Sequence, residues 1–492
     1  MKKQLIAVSV IILIAPLLYA FCGFYVSKAD ATLKNKASQV ILVRDGNRNV
    51  ITMYNDYRGD IKDFAMVVPV PVVLKKSDIR VVDPGLFKRL NDYSAPRLVE
   101  YYDQNPCEPN YRAKSNDMPL AMAMAESDKS VAAVTSRSQG VKIEAQYVVG
   151  EYDILILSAT ESLGLKDWLV QNGYRIPKQA EEVLDPYIKS NLKFFVVKVN
   201  AGEKRKSPEQ YLRPIQISFT SPKFMLPIRL GMANADGDQD LLVYAFTRKG
   251  RIECTNYRNV DIPTDRNVPL FIQKNFNTFY ENLFTRQWRQ AQYSASFLEY
   301  AWDVTPANYY HCDPCIATAP SAADIVQAGV WWLNTDWTDY RNVDEEITDP
   351  GNQQVHFTRL HFRYNRNSFA QDLQFQVTPN TETFQARYVI THPARGRFSC
   401  EEGKKYLTSL RERRKAELEE LNRLTGKTLD DWQDQARTVG SDEDPDATLS
   451  YTALLSDLEK AKRQSSERHI PLYILGLLAA GGTVWMRYRG MI

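Results

Sequence analysis

The segment SQVILVRDGNRNVITMY, residues 38–54, is the clearest indication of the fold class of this chain. Its two apolar runs are rich in β-branched side chains, and the triplet Asp45-Gly46-Asn47 between them is typical of a tight hairpin turn. Runs of the same strand-like character recur along the chain, which indicates that this hairpin belongs to larger sheets. They lie at Phe64–Val70, Ile154–Leu157, Phe194–Val199, Leu241–Phe246, His356–Tyr364, Leu373–Val377 and Phe384–Ile390.

Helical patterns are fewer, and they do not alternate regularly with the strands. They are predicted near residues 84–93, 161–172, 177–189 and 276–290, the first of them opened by an Asp-Pro dipeptide. Because strands dominate and regular βαβ units are missing, the sequence predicts a β-rich α+β body built from antiparallel sheets.

Residues 401–468 have a different, highly charged composition with helical periodicity. Leucines recur near one side of the first pattern, although Arg414 interrupts that apolar stripe. Arg413 and Glu417 are spaced for an exposed ion pair on the same helix. The sequence therefore predicts a helical stalk in this region.

Both ends of the chain carry long apolar segments. Lys2 and Lys3 precede the uncharged run Leu5–Val26, which is typical of a secretory signal peptide and is also long enough to remain as an anchor. Near the other end, the uncharged run Ile470–Met486 lies between arginines, at the lower length limit for a transmembrane helix. Because the first signal usually sets orientation, these segments predict a membrane protein whose body is extracytoplasmic.

The patterns divide the chain into five regions. Residues 1–21 are the signal peptide or N-terminal anchor, and residues 22–260 are a β-rich domain with inserted helices. Within that domain, residues 110–140 sustain no apolar period and are predicted to be a mobile loop. The remaining regions are a second α+β region at 261–400, the stalk at 401–468 and the transmembrane helix at 470–486.

The composition is that of an ordinary globular protein, and it narrows the function classes. The 492 residues are 44% hydrophobic and 25% charged, and 62 Lys+Arg against 59 Asp+Glu give a net charge of +3. Without a local basic patch, this balance argues against a nucleic-acid partner. The sequence contains no recognised nucleotide-binding, zinc-protease or hydrolase motif, so no metal and no cofactor is predicted.

The cysteines are the sharpest chemical feature of the sequence. Cys312 and Cys315 form a Cys-x-x-Cys motif, which in an oxidising compartment can be a structural disulfide, a redox couple or half of a zinc site. No helical period surrounds the motif to activate a thiolate, so the structural disulfide is favoured. The other disulfide or redox candidates are Cys22, Cys107, Cys254 and Cys400, whose pairing the sequence leaves open.

A dense group of aromatic residues follows that motif and contains Trp331, Trp332, Trp337 and Tyr340. Exposed rings of this kind stack on the sugars of envelope glycans or anchor a protein partner. Packing of the same rings in the core is the favoured interpretation, and ligand stacking is its alternative.

Several longer strings occur together and in a fixed order. They include DFAMVVPVP at 63–71, APRLVEY at 95–101, NGYRIP at 172–177, FLEYAWD at 297–303 and CDPC at 312–315. Together they resemble the bacterial family catalogued as domain of unknown function 2330, from Cys22 to about Leu424. The resemblance implies an exported bacterial protein, often held by a C-terminal membrane segment, without an assigned activity or catalytic residues.

The leading hypothesis is a membrane-tethered binding or structural module of the bacterial envelope. It would sit in the cytoplasmic membrane, with its body outside and an envelope protein or glycan as its partner. The alternative is an extracytoplasmic enzyme, either a thiol-disulfide oxidoreductase that uses Cys312 and Cys315 or a hydrolase with unrecognised carboxylates.

Overall fold

The computed structural model describes residues 24–25, 38–54, 65–108, 141–172, 180–200, 202, 212–234, 237–306, 317–333, 354–428, 430–437 and 449–457. Several predicted features lie outside the described residues. They include the signal peptide or anchor (1–21), the mobile loop (110–140), the Cys-x-x-Cys motif (312–315), the end of the stalk (458–468) and the transmembrane helix (470–486). Within the described ranges, no helix is both long and apolar enough to cross a membrane.

Strands make up most of the regular structure, and twenty of them lie in the described ranges. In chain order they are β1 (Phe24–Tyr25), β2 (Ser38–Asp45), β3 (Arg48–Tyr54), β4 (Ala65–Val70), β5 (Ile79–Val81), β6 (Arg97–Tyr102), β7 (Val141–Val149), β8 (Tyr152–Ala159), β9 (Lys193–Val199), β10 (Ile215–Thr220), β11 (Met225–Leu226), β12 (Gln239–Thr247), β13 (Ile252–Cys254), β14 (Arg258–Asp261), β15 (Arg266–Asn267), β16 (Ala295–Asp303), β17 (His356–Tyr364), β18 (Leu373–Val377), β19 (Phe384–Gln385) and β20 (Arg387–His392).

The helices are fewer, as the sequence predicts, and the chain is a mixed, β-rich α+β protein. The α-helices are Gly85–Ser94, Ser162–Gln171, Ala180–Lys189, Phe276–Gln290, Ala322–Gln327, Glu401–Thr425 and Gln433–Ala436, and residues 451–457 are also helical.

The chain forms two compact units, and each is assembled from three separate segments. The described residues of the first unit fall within 1–95, 123–262 and 288–385, and those of the second fall within 96–122, 263–287 and 386–492. The units therefore interleave along the chain, whereas the sequence patterns divide it at residues 260 and 400.

Two large sheets form the framework of the first unit. One has the order β1-β4-β9-β8-β7 with antiparallel neighbours throughout. The other has the order β14-β16-β17-β12-β2-β3-β10-β5, with β19 beside β16. The hairpin predicted from residues 38–54 is confirmed as the antiparallel pair β2–β3. A small sheet, β11-β18-β13, belongs to the same unit.

The central strands of both large sheets, such as β2 and β9, are apolar on both faces because both faces are covered. In β2, Val40 and Leu42 belong to the core between the two sheets, whereas Ile41 and Val43 belong to a core on the opposite face. Alternate residues of β9 divide in the same way. This double burial explains why these strands read as continuous apolar runs instead of alternating ones.

Helices cover the outer faces, which gives the first unit four layers. Gly85–Ser94 and Ala322–Gln327 pack on the nine-stranded sheet through Phe87, Leu90 and Ile325. Ser162–Gln171 and Ala180–Lys189 cover the five-stranded sheet. The order of the layers is therefore helix, sheet, sheet, helix.

The second unit contains a three-stranded sheet of the order β15-β20-β6, and all its pairs are parallel. The prediction of antiparallel sheets is wrong here, and it is also wrong for the parallel pairs β2–β12 and β14–β16 of the large sheet. In the small sheet each strand comes from a distant part of the chain. No hairpin turn therefore imposes an antiparallel direction.

The long helix Glu401–Thr425, predicted as the first part of a stalk, belongs to the second unit and buries one face there. Arg414 does not interrupt that face. Its side chain is buried, its guanidinium lies over the ring of Tyr451 at 4.7 Å, and it donates a hydrogen bond to the carbonyl oxygen of Leu449. The ion pair between Arg413 and Glu417 forms at 3.6 Å, but Glu417 is buried, so the prediction of an exposed pair is wrong.

A disulfide between Cys107 and Cys400 joins the segment that follows β6 to the residue that caps the long helix. The sequence leaves the pairing of these two candidates open, and the structure joins them to each other. Asp103 strengthens the same attachment, since its carboxylate accepts hydrogen bonds from Tyr406 at 2.7 Å and from Arg413 at 2.7 and 3.2 Å.

Candidate functional site

A groove of about 540 Å³ opens on the first unit. Its volume falls in the range of small-molecule sites in proteins. The β2–β3 turn, residues 222 and 224, the turn after β12 and the end of β18 form its walls. These elements bring three cations, Arg44, Arg248 and Lys249, to the same concave surface.

Glycine is required where the turn after β12 meets the end of β18. Gly250 has a φ of 153°, and a Cβ at this position would lie 2.6 Å from the carbonyl oxygens of Thr378 and Asn380. Any side chain would therefore push the two walls apart. Gly46, in the β2–β3 turn, has a φ of 55° but open space around it, so only its left-handed backbone matters.

Arg44 is the most unusual residue of the groove, because it is 8% exposed and yet is held by neutral groups. Its guanidinium donates to Asn49 Oδ1 at 2.7 Å and to the carbonyl oxygens of Ser221 and Pro222 at 2.8 and 3.2 Å. Among the described residues, no carboxylate pairs with it. Burial lowers the pKa of Arg44, as expected where a charge has lost water without gaining a counter-charge. Buried charges are usually paired with an opposite charge. Among the described residues, Arg44 lacks such a counter-charge.

The other two cations differ in how they are held. Arg248 donates to Asp45 at 3.1 Å, and its guanidinium lies 5.0 Å from the centre of the Trp332 ring. Lys249 is exposed and has no charged partner in the part of the chain that the structure describes. Three cations and one carboxylate leave the walls with a net charge of about +2.

Of the aromatic group, Trp331 and Trp332 are described. Both are half-buried at the edge of the core between the nine-stranded sheet and the helices that cover it. Arg48 lies over the ring of Trp331 at 4.4 Å, in the way that Arg248 covers Trp332. The indole nitrogen of Trp332 donates to the carbonyl oxygen of Gln354 at 3.0 Å. These rings therefore orient arginines and contribute to packing. Trp337 and Tyr340, the other predicted stacking residues, lie outside the described ranges.

A second polar cluster is buried in the nine-stranded sheet. Glu299 occupies an irregular position of β16, where the pairing with β17 shifts register. Its carboxylate accepts from Arg359 Nε at 2.5 Å and lies 2.8 Å from Nδ1 of His361. The other ring nitrogen of His361 lies 3.3 Å from Asp240, and Asp240 accepts two hydrogen bonds from Arg363, at 2.7 and 3.0 Å.

The protonation of this cluster follows from its charges. Burial disfavours a charged imidazole, but Glu299 and Asp240 outweigh it and raise the pKa of His361. Burial also opposes charge on Asp240, but His361 and Arg363 outweigh it and hold its pKa well below the usual range. Since carboxylates engage both ring nitrogens of His361, neither nitrogen is placed to take a proton from a hydroxyl or thiol nucleophile.

The cluster therefore supports the fold. Arg359 also donates to Asn91 at 2.9 Å, and this contact ties the helix Gly85–Ser94 to the sheet. Within the described ranges, no group of three or more His, Cys, Asp or Glu side chains could hold a metal ion.

The cysteines that the sequence offers as disulfide or redox candidates differ in their state. Cys107 and Cys400 are paired, whereas Cys254 is a buried free thiol whose Sγ contacts Asn256 Oδ1 at 3.4 Å. Burial raises the pKa of Cys254, which makes it a poor nucleophile at neutral pH. Cys22, Cys312 and Cys315 lie outside the described residues.

Sequence reasoning missed the residues of the groove. Arg44 precedes a hairpin turn, and Arg248 and Lys249 lie about 200 residues further on, so no local motif connects them. A parallel pairing of β2 with β12, which sets Arg44 opposite Thr247, brings them together. The only local signal was that these cations lie within two residues of the turn glycines Gly46 and Gly250.

The family described as "uncharacterized protein conserved in bacteria" (DUF2330) matches residues 16–376. The match covers well over half of the chain, so the protein belongs to this family, as the sequence strings indicate. It ends within β18, earlier than the expected limit near Leu424, and it includes every residue of the groove described above except Val377, Thr378 and Pro379. No curated protein and no solved structure matches the chain.

Proposed function

We propose that this protein is a membrane-tethered extracytoplasmic module of the bacterial envelope that binds a ligand in the groove of its first unit. The observation that carries the proposal is the buried Arg44, which lines an open groove and whose partners among the described residues are all neutral. A site that gathers net positive charge around such a residue is suited to hold an anionic group.

The extracytoplasmic location is supported by chemistry from two parts of the chain. The disulfide Cys107–Cys400 is of a kind that persists in oxidising compartments and is rare in the cytosol. The apolar runs Leu5–Val26 and Ile470–Met486 supply an export signal or anchor and a C-terminal tether.

Binding is a better match to the described residues than catalysis. His361 and Asp240, two buried groups with shifted pKa values, are engaged with each other and with Glu299 and Arg363. Cys254 is buried and its thiol pKa is raised. The groove, by contrast, joins concave shape, solvent access and an excess of one charge.

The test uses two glutamines of strand β18 that are both exposed. Gln376 lines the groove and Gln374 does not, so Gln376→Cys and Gln374→Cys form a matched pair on one strand. Each full-length variant is produced in bacterial cells, and the intact cells are treated with a membrane-impermeant maleimide. The purified variants are then labelled with and without an extract of the cell envelope, with the parent protein as baseline.

We expect both cysteines to react in intact cells, and we expect the extract to protect Gln376→Cys but not Gln374→Cys. Failure of both variants to react until the cells are broken would exclude the extracytoplasmic location. Equal labelling of the two sites with and without the extract would exclude the groove as the binding site.

A further inference from the structure

We infer that the groove recognises a phosphomonoester attached to an apolar body. This inference rests on the proposed function and names the chemical class of ligand for the same site. Three features of the groove carry it: its net charge, the way its cations are held, and its apolar floor.

The first feature is the amount of charge. Among the described residues that line the groove, Arg44, Arg248 and Lys249 stand against the single carboxylate of Asp45. A phosphomonoester carries about −1.5 to −2 charges at pH 7, which matches the net charge of about +2 on these walls. A carboxylate carries one negative charge and would leave half of the positive charge uncompensated.

The second feature is the geometry of the donors. Trp332 and Asp45 hold the guanidinium of Arg248 from two sides, so this planar group is oriented before a ligand arrives. Lys249 adds an exposed ammonium that can rotate toward any of the oxygens of a phosphate. Oriented arginine and mobile lysine together are a common solution for phosphate recognition.

The third feature is the apolar floor next to these donors. Phe224, Phe375 and Val377 line the groove, and the guanidinium of Arg44 lies 5.4 Å from the centre of the Phe224 ring. An inorganic phosphate would leave this floor in water. A ligand with an aromatic or acyl group beside its phosphate would cover it and gain hydrophobic stabilisation.

The same chemistry occurs in two sources, a soluble phosphate ester and the headgroup of a phosphomonoester lipid. The experiment therefore uses full-length protein with two probes, phenyl phosphate in solution and vesicles that contain phosphatidic acid. Benzoate and phosphatidylcholine vesicles are the matched probes without a phosphomonoester. Binding is measured by calorimetry and by protection of Gln376→Cys from the maleimide.

The variants separate the site from general charge. Lys249→Gln removes the exposed cation of the groove, whereas Lys405→Gln removes an exposed lysine of the long helix in the other unit. Both positions are on the surface, so both variants are expected to fold. We expect Lys249→Gln to weaken binding of the phosphate probe about tenfold, and Lys405→Gln to leave it unchanged.

Each outcome decides between defined alternatives. Binding of phenyl phosphate but not of benzoate, with loss in Lys249→Gln, supports the inference, and the vesicle arm tells whether the lipid is also accepted. Equal or tighter binding of benzoate overturns the phosphomonoester. Protection of Gln376→Cys by envelope extract but by neither phosphate probe also overturns it and leaves the proposed function standing. Protection by neither extract nor probes overturns both.

Discussion

The hydroxyl of Tyr451 donates a 2.6 Å hydrogen bond to Oε2 of Glu417, and both side chains are buried in the second unit. The contact joins the long helix to the helical residues 451–457. Burial raises the pKa of Glu417 to about 7, although Tyr451, Arg413 and Arg414 favour its charged form and Asp103 opposes it. Tyr451 itself is stabilised as the neutral phenol.

Because of the raised pKa of Glu417, the free energy of unfolding of the second unit is predicted to fall as the pH rises. The pKa of Glu417 is about 7 in the folded state against an ordinary value of 4.5, so the folded state holds the proton more tightly. The stabilisation is complete below pH 4.5 and is lost as the pH approaches 7, and its size is on the order of 3 kcal/mol.

The variant Glu417→Gln keeps a hydrogen-bond acceptor without the charge, so its stability should change less between pH 4.5 and 8. The measurement is hydrogen exchange of the long helix in both proteins across this range. Glu419→Gln, an exposed position of the same helix, is the control and should behave like the parent protein. A difference between parent and Glu417→Gln that does not change with pH would contradict the prediction.

The pKa values of two histidines of strand β17 are predicted to be shifted in opposite directions. Burial lowers the pKa of His356, whereas Glu299 and Asp240 raise that of His361 against the effect of burial. Nitrogen NMR of histidine-labelled protein should therefore place His361 above 6.5 and His356 below it. Because the folded state favours protonated His361, its contribution to stability is lost as the pH rises through its pKa. The reverse order of the two pKa values would show that Glu299 and Asp240 do not control the protonation of His361.

The disulfide Cys107–Cys400 is predicted to stabilise the second unit. It closes a loop between residues 293 positions apart, and the double variant Cys107→Ser/Cys400→Ser should lose about 2–4 kcal/mol of unfolding free energy. Thermal melts with and without reductant provide the measurement, because reductant should affect the parent protein much more than the double variant. Cys254→Ala is the control, since this thiol is free and its replacement should leave the effect of reductant intact. An equal response of parent and double variant would argue against a stabilising bridge.

The two turn glycines of the groove are predicted to respond differently to substitution. Gly250→Ala places a Cβ 2.6 Å from two carbonyl oxygens and should cost about 1–3 kcal/mol, as well as deform the groove. Gly46→Asn adopts a left-handed backbone in open space and should stay within about 1 kcal/mol of the parent protein. Denaturant unfolding measures both, and equal effects of the two substitutions would contradict this view of the walls.

The sequence predicts the local elements of this fold well, because their signals are local. The β2–β3 hairpin follows from its apolar runs and turn triplet, and the helix Gly85–Ser94 from the Asp-Pro dipeptide before it. The parallel sheet of the second unit was not predictable in the same way. Its strands β6, β15 and β20 are far apart in the chain, and no pattern within one strand indicates the direction of its neighbour.

Long-range polar contacts could not be predicted from local sequence patterns either. In the sequence, Arg414 interrupts an apolar stripe. In the structure it can be buried there because it donates a hydrogen bond to the distant carbonyl oxygen of Leu449. Glu299 stands inside an apolar strand, and Arg359 and His361 of the neighbouring strand compensate its charge. The groove depends on the same effect, since the pairing of β2 with β12 brings its cations together.

The most direct test of an extracytoplasmic ligand groove compares the reactivity of two native lysines in the unaltered chain. Intact cells are treated with a membrane-impermeant amine reagent, and mass spectrometry measures acylation of Lys249 in the groove and Lys405 on the long helix. Both lysines are exposed, so they should react similarly in the purified, ligand-free protein. In cells we predict modification of Lys405 and clear protection of Lys249. Equal modification of the two lysines in cells, or modification of neither until the cells are broken, would contradict an occupied groove outside the membrane.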